Sequence, residues 1–113
     1  MTRYLISFND GDMTFPEAEL PDVSEASHAV VRELKAAGAW VFGGGLLDPA
    51  ATSVVATDGT VTQGQAPERS EFLGGFSIIE VTSRDEALAW AERIAVACRC
   101  AQEVREIMDD PES

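Results

Sequence analysis

Two segments of this chain are apolar at both strand parities, and the chain holds only two helices to cover them. In Tyr4-Leu5-Ile6-Ser7-Phe8, one face would carry Tyr4, Ile6 and Phe8 and the other Leu5. In Gly75–Val81, Phe76 and Ile78 alternate with Ile79 and Val81. Successive strand side chains point to opposite faces, so apolar residues at both parities require cover on both sides. The helices are marked by capping boxes: Asp22-Val23-Ser24-Glu25 opens the first and Ser83-Arg84-Asp85-Glu86 the second. Val23, Ala26, Val30, Leu34 and Ala37 form the first apolar stripe, ended by Gly38. Ala87, Leu88, Ala91, Ile94, Ala95 and Cys98 form the second. Two helices cover one face of one sheet. The simplest cover for the other face is a second copy, so a homodimer is expected.

The remaining signals order the fold. Met13–Leu20 contains Pro16 and stops at Pro21, which predicts a loop. Ala39–Phe42 predicts a strand running into Gly43-Gly44-Gly45. Thr52–Thr57 and Thr60–Thr62 flank Asp58-Gly59, a hairpin signal. Gln63–Leu73 predicts an exposed loop, and a last strand is expected within Ala101–Ile107. The predicted class is α+β: a ferredoxin-like split βαβ with an inserted β-hairpin, forming a dimeric α+β barrel. A single domain over residues 1–113 suits the length.

The net charge of −12 narrows the partners. Nucleic-acid affinity depends on cations that displace counterions, so direct nucleic-acid binding is not expected. Anionic membrane surfaces are disfavoured for the same reason. No apolar run approaches the roughly 20 residues that span a bilayer. Asp10 and Asp12 follow the N-terminus too closely for a signal peptide. Cys98 and Cys100 are too close in sequence for an unstrained disulfide, and two thiols do not complete a zinc site. A cytoplasmic location is therefore expected. There is no HExxH, CxxC, nucleophile elbow or P-loop, so neither metal nor organic cofactor is expected.

Residues 61–76 read V-T-Q-G-Q-A-P-E-R-S-E-F-L-G-G-F. This segment resembles the signature of the YCII-related proteins known as DGPF domains, roughly V-T-D-G-P-F-x-E-T-K-E-x-L-G-G-F/Y. Gly64, Glu68, Glu71, Leu73, Gly74, Gly75 and Phe76 match, while Gln63-Gly64-Gln65-Ala66 stands in place of the namesake motif. Gly44-Gly45-Leu46-Leu47 and Glu103-Val104-Arg105 agree as well, so the resemblance runs from Tyr4 to Ile107. It implies a dimeric α+β barrel, in agreement with the two-faced strands. It also implies either small-molecule enzymology or, through relatives associated with sigma factors, a protein partner.

Six residues are candidates for chemistry. Glu68 and Glu71 lie three apart beside Gly74-Gly75, and both match the family pattern. Carboxylates so placed can share acid–base work, or project into solvent as loop carboxylates commonly do. Arg105, on the same strand parity as Glu103, can grip an anionic group or form an internal ion pair. Trp40 and Phe42, two apart, would share a strand face and could wall a pocket, although core packing is the commoner role. His28 is the only histidine, and the wider YCII group is associated with a His–Asp pair. The helical wheel sets it with Glu25, Arg32 and Lys35, away from the packed stripe. The expected ligand site is therefore Glu68 and Glu71 with Arg105 in reach and Trp40 as a wall; His28 and Glu71 are the weak catalytic candidates. The function expected is a small-molecule binding or regulatory module. The alternative is an enzyme acting on a small organic metabolite through carboxylate or histidine acid–base chemistry.

Overall fold

The structure is a computed structural model and describes residues 1–64, 69 and 71–113. β1 (Thr2–Asn9) leads to α1 (Leu20–Ala36), β2 (Trp40–Gly45), β3 (Ser53–Val55) and β4 (Val61–Gln63). β5 (Leu73–Val81), α2 (Arg84–Cys98) and β6 (Glu103–Glu106) follow. The main sheet has the order β2-β5-β1-β6, with every neighbouring pair antiparallel. That is the strand order of a ferredoxin-like sheet. β3 and β4 form a separate two-stranded antiparallel sheet.

Register decides what each face of the sheet carries. Tyr4 lies opposite Ile79, and Ile6 opposite Val104, so these residues share the face beneath the helices. Tyr4, Ile6, Ile79 and Val81 pack there against Val30 and Leu34 of α1 and Ala87, Ala91, Ile94 and Ala97 of α2. Ile6, Leu34 and Ile79 have no exposed surface. The small alanines of α2 let that helix lie close to the sheet. Leu88 belongs to the expected stripe but is exposed.

Leu5, Ser7, Phe76 and Ile78 fall on the opposite face, with Leu5 opposite Ile78 and Ser7 opposite Phe76. Neither helix packs on that side. The molecule is correspondingly thin, 45 × 43 × 19 Å, with a radius of gyration of 15.8 Å. A compact chain of this length has about 13 Å.

Two helix starts illustrate how local chemistry fixes an end. α1 begins at Leu20, two residues before the expected cap, with Pro21 inside its first turn. Proline is tolerated there because the first-turn N–H groups lack helical partners anyway. Asp22 thus lies within the helix as an acid near its N-terminus, and Glu25 pairs with Arg32 instead of closing a box. α2 starts as its sequence predicts. The Ser83 hydroxyl accepts from the Glu86 N–H at 3.2 Å. In return the Glu86 carboxylate accepts from the Thr82 hydroxyl at 2.8 Å and the Thr82 N–H at 3.1 Å.

Those two bonds, the hydroxyl's first, hold the Glu86 carboxyl below the ordinary glutamate value of 4.5. A carboxyl depressed on folding adds stability above its unfolded pKa and loses it as pH falls through the folded one. Ser83→Ala, which removes the acceptor of the Glu86 N–H, should cost about 1 kcal/mol. Glu86→Gln should flatten the acid loss below about pH 4.5 in pH-dependent thermal melts. Acid curves identical to the parent's would show that the box contributes nothing.

Candidate functional site

A cavity of about 560 Å³ lies between α1, β2 and the last turn of α2. Its volume is in the range of small-molecule sites. Val30 and Val31 of α1, Trp40 of β2, Phe8 of β1 and Ile94 of α2 supply an apolar lining. Ser27, His28, Lys35 and Gln102 supply the polar groups.

Two glycines make room for the aromatic walls. At Gly43 a Cβ would sit 2.9 Å from the Trp40 ring and 2.5 Å from the Phe76 carbonyl oxygen. Trp40 can therefore lie along its own strand only because Gly43 has no side chain. At Gly75 a Cβ would fall 2.7 Å from the Phe8 ring. The space beside Gly74 and Gly75 holds the Phe8 ring.

Trp40 and Phe42 both border the cavity, but not from one strand face. A register shift between them sets Trp40 opposite Ile79 and Phe42 opposite Ile78, residues of opposite faces. The extra residue, Val41, breaks the two-residue alternation, as a bulge does. Phe42 meets the Phe76 ring at 6.0 Å, is 62% exposed, and flanks the bare face of the sheet.

His28 stands on the rim of the cavity together with Lys35. At 100° per residue, positions seven apart differ by only about 20° around the helix. The pair lies on the flank of α1 with Ser27 and Val31, while Glu25 and Arg32 hold the solvent pole. A wheel divided into an apolar stripe and its opposite has no place for a flank that borders a cleft. Spacing could have revealed it: Ser27, Val31 and Lys35 alternate with the core stripe along one side of α1.

The sulfur chemistry at the cavity is subdued. Cys98 lines the wall 3.6 Å from the Ser27 hydroxyl, which donates to the Val23 carbonyl at 2.8 Å. Burial, then the neighbouring Cys98 and Asp12, push the Cys100 thiol up, against a weaker opposing hydrogen bond from Gln102. A raised thiol is protonated at neutral pH and is a poor nucleophile. Among the described residues, no three His, Cys, Asp or Glu side chains converge as a metal site.

Of the residues expected at the acidic loop, Glu71 and Arg105 lie apart within the described residues. Glu68 lies outside the described residues. Glu71 borders a second, shallower groove with Asn9, Asp48, Arg69 and Leu73. Arg105 is not part of that groove; it is exposed on the edge strand β6, opposite Leu5 on the bare face. Glu103 shares that face, opposite Ser7. The cause is geometric. Glu71 precedes the end of β5 that pairs with Asn9, while Arg105 pairs four residues further back along β1. At about 3.3 Å per residue this alone is a separation of roughly 13 Å.

Fold and cavity together define a ferredoxin-like α+β domain with a cleft on the helix side of its sheet. The chain belongs to the YCII-related domain family, whose match spans residues 2–110. Among solved structures it is similar to 5-chloro-2-hydroxyhydroquinone dehydrochlorinase from Burkholderia phenoliruptrix AC1100, in complex with 2,5-dihydroxybenzoquinone. The two share 19% identity at a TM-score of 0.56, over 99% of this chain and 98% of the other. That likeness is one of fold. No curated protein sequence matches the chain. Among the described residues, no helix is long and apolar enough to cross a membrane.

Proposed function

We propose that this YCII-related protein binds a small organic molecule in the cavity between α1 and β2, and does so as a homodimer. The observation that carries the binding reading is the cavity itself. It is already open in the fold, mostly apolar, and supplied with a few polar groups at one side, as small-molecule sites are. The fold neighbour holding a dihydroxybenzoquinone shows a planar ring of a size that 560 Å³ accommodates. The dimer reading rests on the bare sheet face: two such faces packed together would make the α+β barrel and give each sheet its second layer.

Catalysis is the second reading, favoured by the placement of the only histidine on the cavity rim. An imidazole at that position is placed to act as a general acid or base on a seated substrate. The fold neighbour is itself named as an enzyme.

Isothermal titration with 2,5-dihydroxybenzoquinone and a panel of aromatic metabolites tests both readings. At least one saturable ligand is expected, and Val31→Trp, which fills the cleft from α1, should weaken it by tenfold or more with the fold intact. Unchanged affinity in that variant would move the site elsewhere. If the bound compound is also consumed, and His28→Gln stops consumption while binding persists, the enzyme reading prevails. Binding without consumption leaves a binding module.

A further inference from the structure

The cavity between α1 and β2 differs in charge from the chain around it. The sequence carries 20 Asp and Glu against 8 Lys and Arg, yet among the described residues no carboxylate lines this cavity. The only lysine of the chain, Lys35, and its only histidine, His28, both do. The amide of Gln102 and the hydroxyl of Ser77 also line it and can donate a hydrogen bond, while the Ser27 hydroxyl already donates to the Val23 carbonyl.

Nor is the lysine neutralised from outside. The ion pairs among the described residues all use arginine: Arg3–Glu80, Arg32–Glu25, Arg93–Glu33 and Arg99–Glu19. Two of these engage acids of α1, Glu33 with Arg93 and Glu25 with Arg32. Among the described residues, Lys35 has no ion-pair partner and stands as an ammonium at the mouth of an apolar cleft. The cavity mouth thus carries a cation in a chain whose net charge is −12.

The arrangement is also graded with depth. Lys35 and His28 are exposed at the rim, while Trp40 and Phe8 are half-buried and Val30 and Ile94 are buried. A molecule that satisfies both ends has a flat apolar body and one acidic group at its edge. Resting on the cavity reading, we propose that the ligand is a small aromatic acid, its ring against Trp40 and Phe8 and its anionic oxygen toward Lys35 and His28. A cationic or zwitterionic ligand would set its charge against Lys35, and an aliphatic anion would leave the aromatic walls unfilled.

Trp40 reports the test from inside the site. In a Trp90→Phe background, its fluorescence is titrated with benzoate, benzamide, benzylamine and acetate. Benzoate should quench at least tenfold more tightly than the isosteric neutral benzamide, with benzylamine and acetate weakest. Lys35→Met should cost benzoate about tenfold and leave benzamide unchanged, as loss of one charge-assisted contact would. Lys35→Arg should retain the preference. Lys35 is exposed, so neither change removes a core contact. Benzamide binding as well as benzoate, or benzoate unaffected by Lys35→Met, would overturn the acid assignment and leave the cavity reading standing. Failure of all four probes, together with the wider aromatic panel, would remove both.

Discussion

Ile78→Glu is expected to turn a particle of twice 12.1 kDa into one of 12.1 kDa in light scattering at micromolar concentration. Ile78 sits in the middle of β5, between Leu5 of β1 and Phe42 of β2, on the face that no helix covers. In the proposed barrel this face meets its copy about a two-fold axis. A contact of that kind is isologous, so one substitution places two carboxylates in the apolar interface. Burying an ionised group without a partner costs several kcal/mol, and roughly 4 kcal/mol is already about a thousandfold in dissociation constant. Leu5→Lys, on the neighbouring strand, should act in the same way. The β3–β4 sheet adds Val55 and Val61, both well exposed, and Leu47 is 84% exposed. These residues would help the interface exceed the roughly 1,200 Å² of stable complexes. A parent protein that already scatters at 12.1 kDa would overturn the dimer, and so would an Ile78→Glu variant that stays at twice that mass.

The sequence showed the fold more clearly than the site because different distances govern the two. Strand parity and helix stripes are local patterns, and Tyr4, Ile6, Val30, Leu34, Ile79 and Val81 carry them directly into the buried core. The Ser83–Glu86 cap is likewise complete within four residues. Pro21 shows how a local signal misleads, since the same residue that ends a loop also suits the first turn of a helix. The site depends on where elements meet. Trp40 and Phe42 were placed on one face by alternation, and a bulge of one residue separated them. Glu71 and Arg105 looked complementary by charge, but the sheet sets them several residues apart along β1. His28 and Lys35 looked like solvent-facing charge until β2 and α2 closed a cleft along their side of α1. Reading that flank required knowing which neighbour it faces, and the periodicity of a single helix does not contain that information.

Gly43→Ala should be the most damaging of the conservative changes in the cavity wall, lowering stability by about 2–3 kcal/mol, as overpacking a fitted site does. The added methyl would lie 2.5 Å from the Phe76 carbonyl oxygen and 2.9 Å from the Ser77 Cα, where ordinary contact begins near 3.4 Å. Both obstacles are backbone of β5, which is held on its other side by β1 from Thr2 to Asn9. They cannot swing aside as a long side chain would. The third obstacle, the Trp40 ring at 2.9 Å, is flanked by the core beneath α1. β2 must therefore shift away from β5, which strains its hydrogen bonds and displaces the aromatic wall. For a domain of this size, 2–3 kcal/mol is a fall of roughly 10–20 °C in melting temperature. Gly44→Ala is the matched control, since a Cβ there meets nothing within 4 Å. It should melt within about 3 °C of the parent, in keeping with the loss of under 1 kcal/mol usual for substitutions that disturb no packing. The difference between the two variants isolates the steric contact from the general effect of replacing glycine in a strand. Ligand affinity should follow, with Gly43→Ala weakening any cavity ligand. Equal melting temperatures in the two variants would show that β2 has room to move, and that Trp40 is not fixed by Gly43.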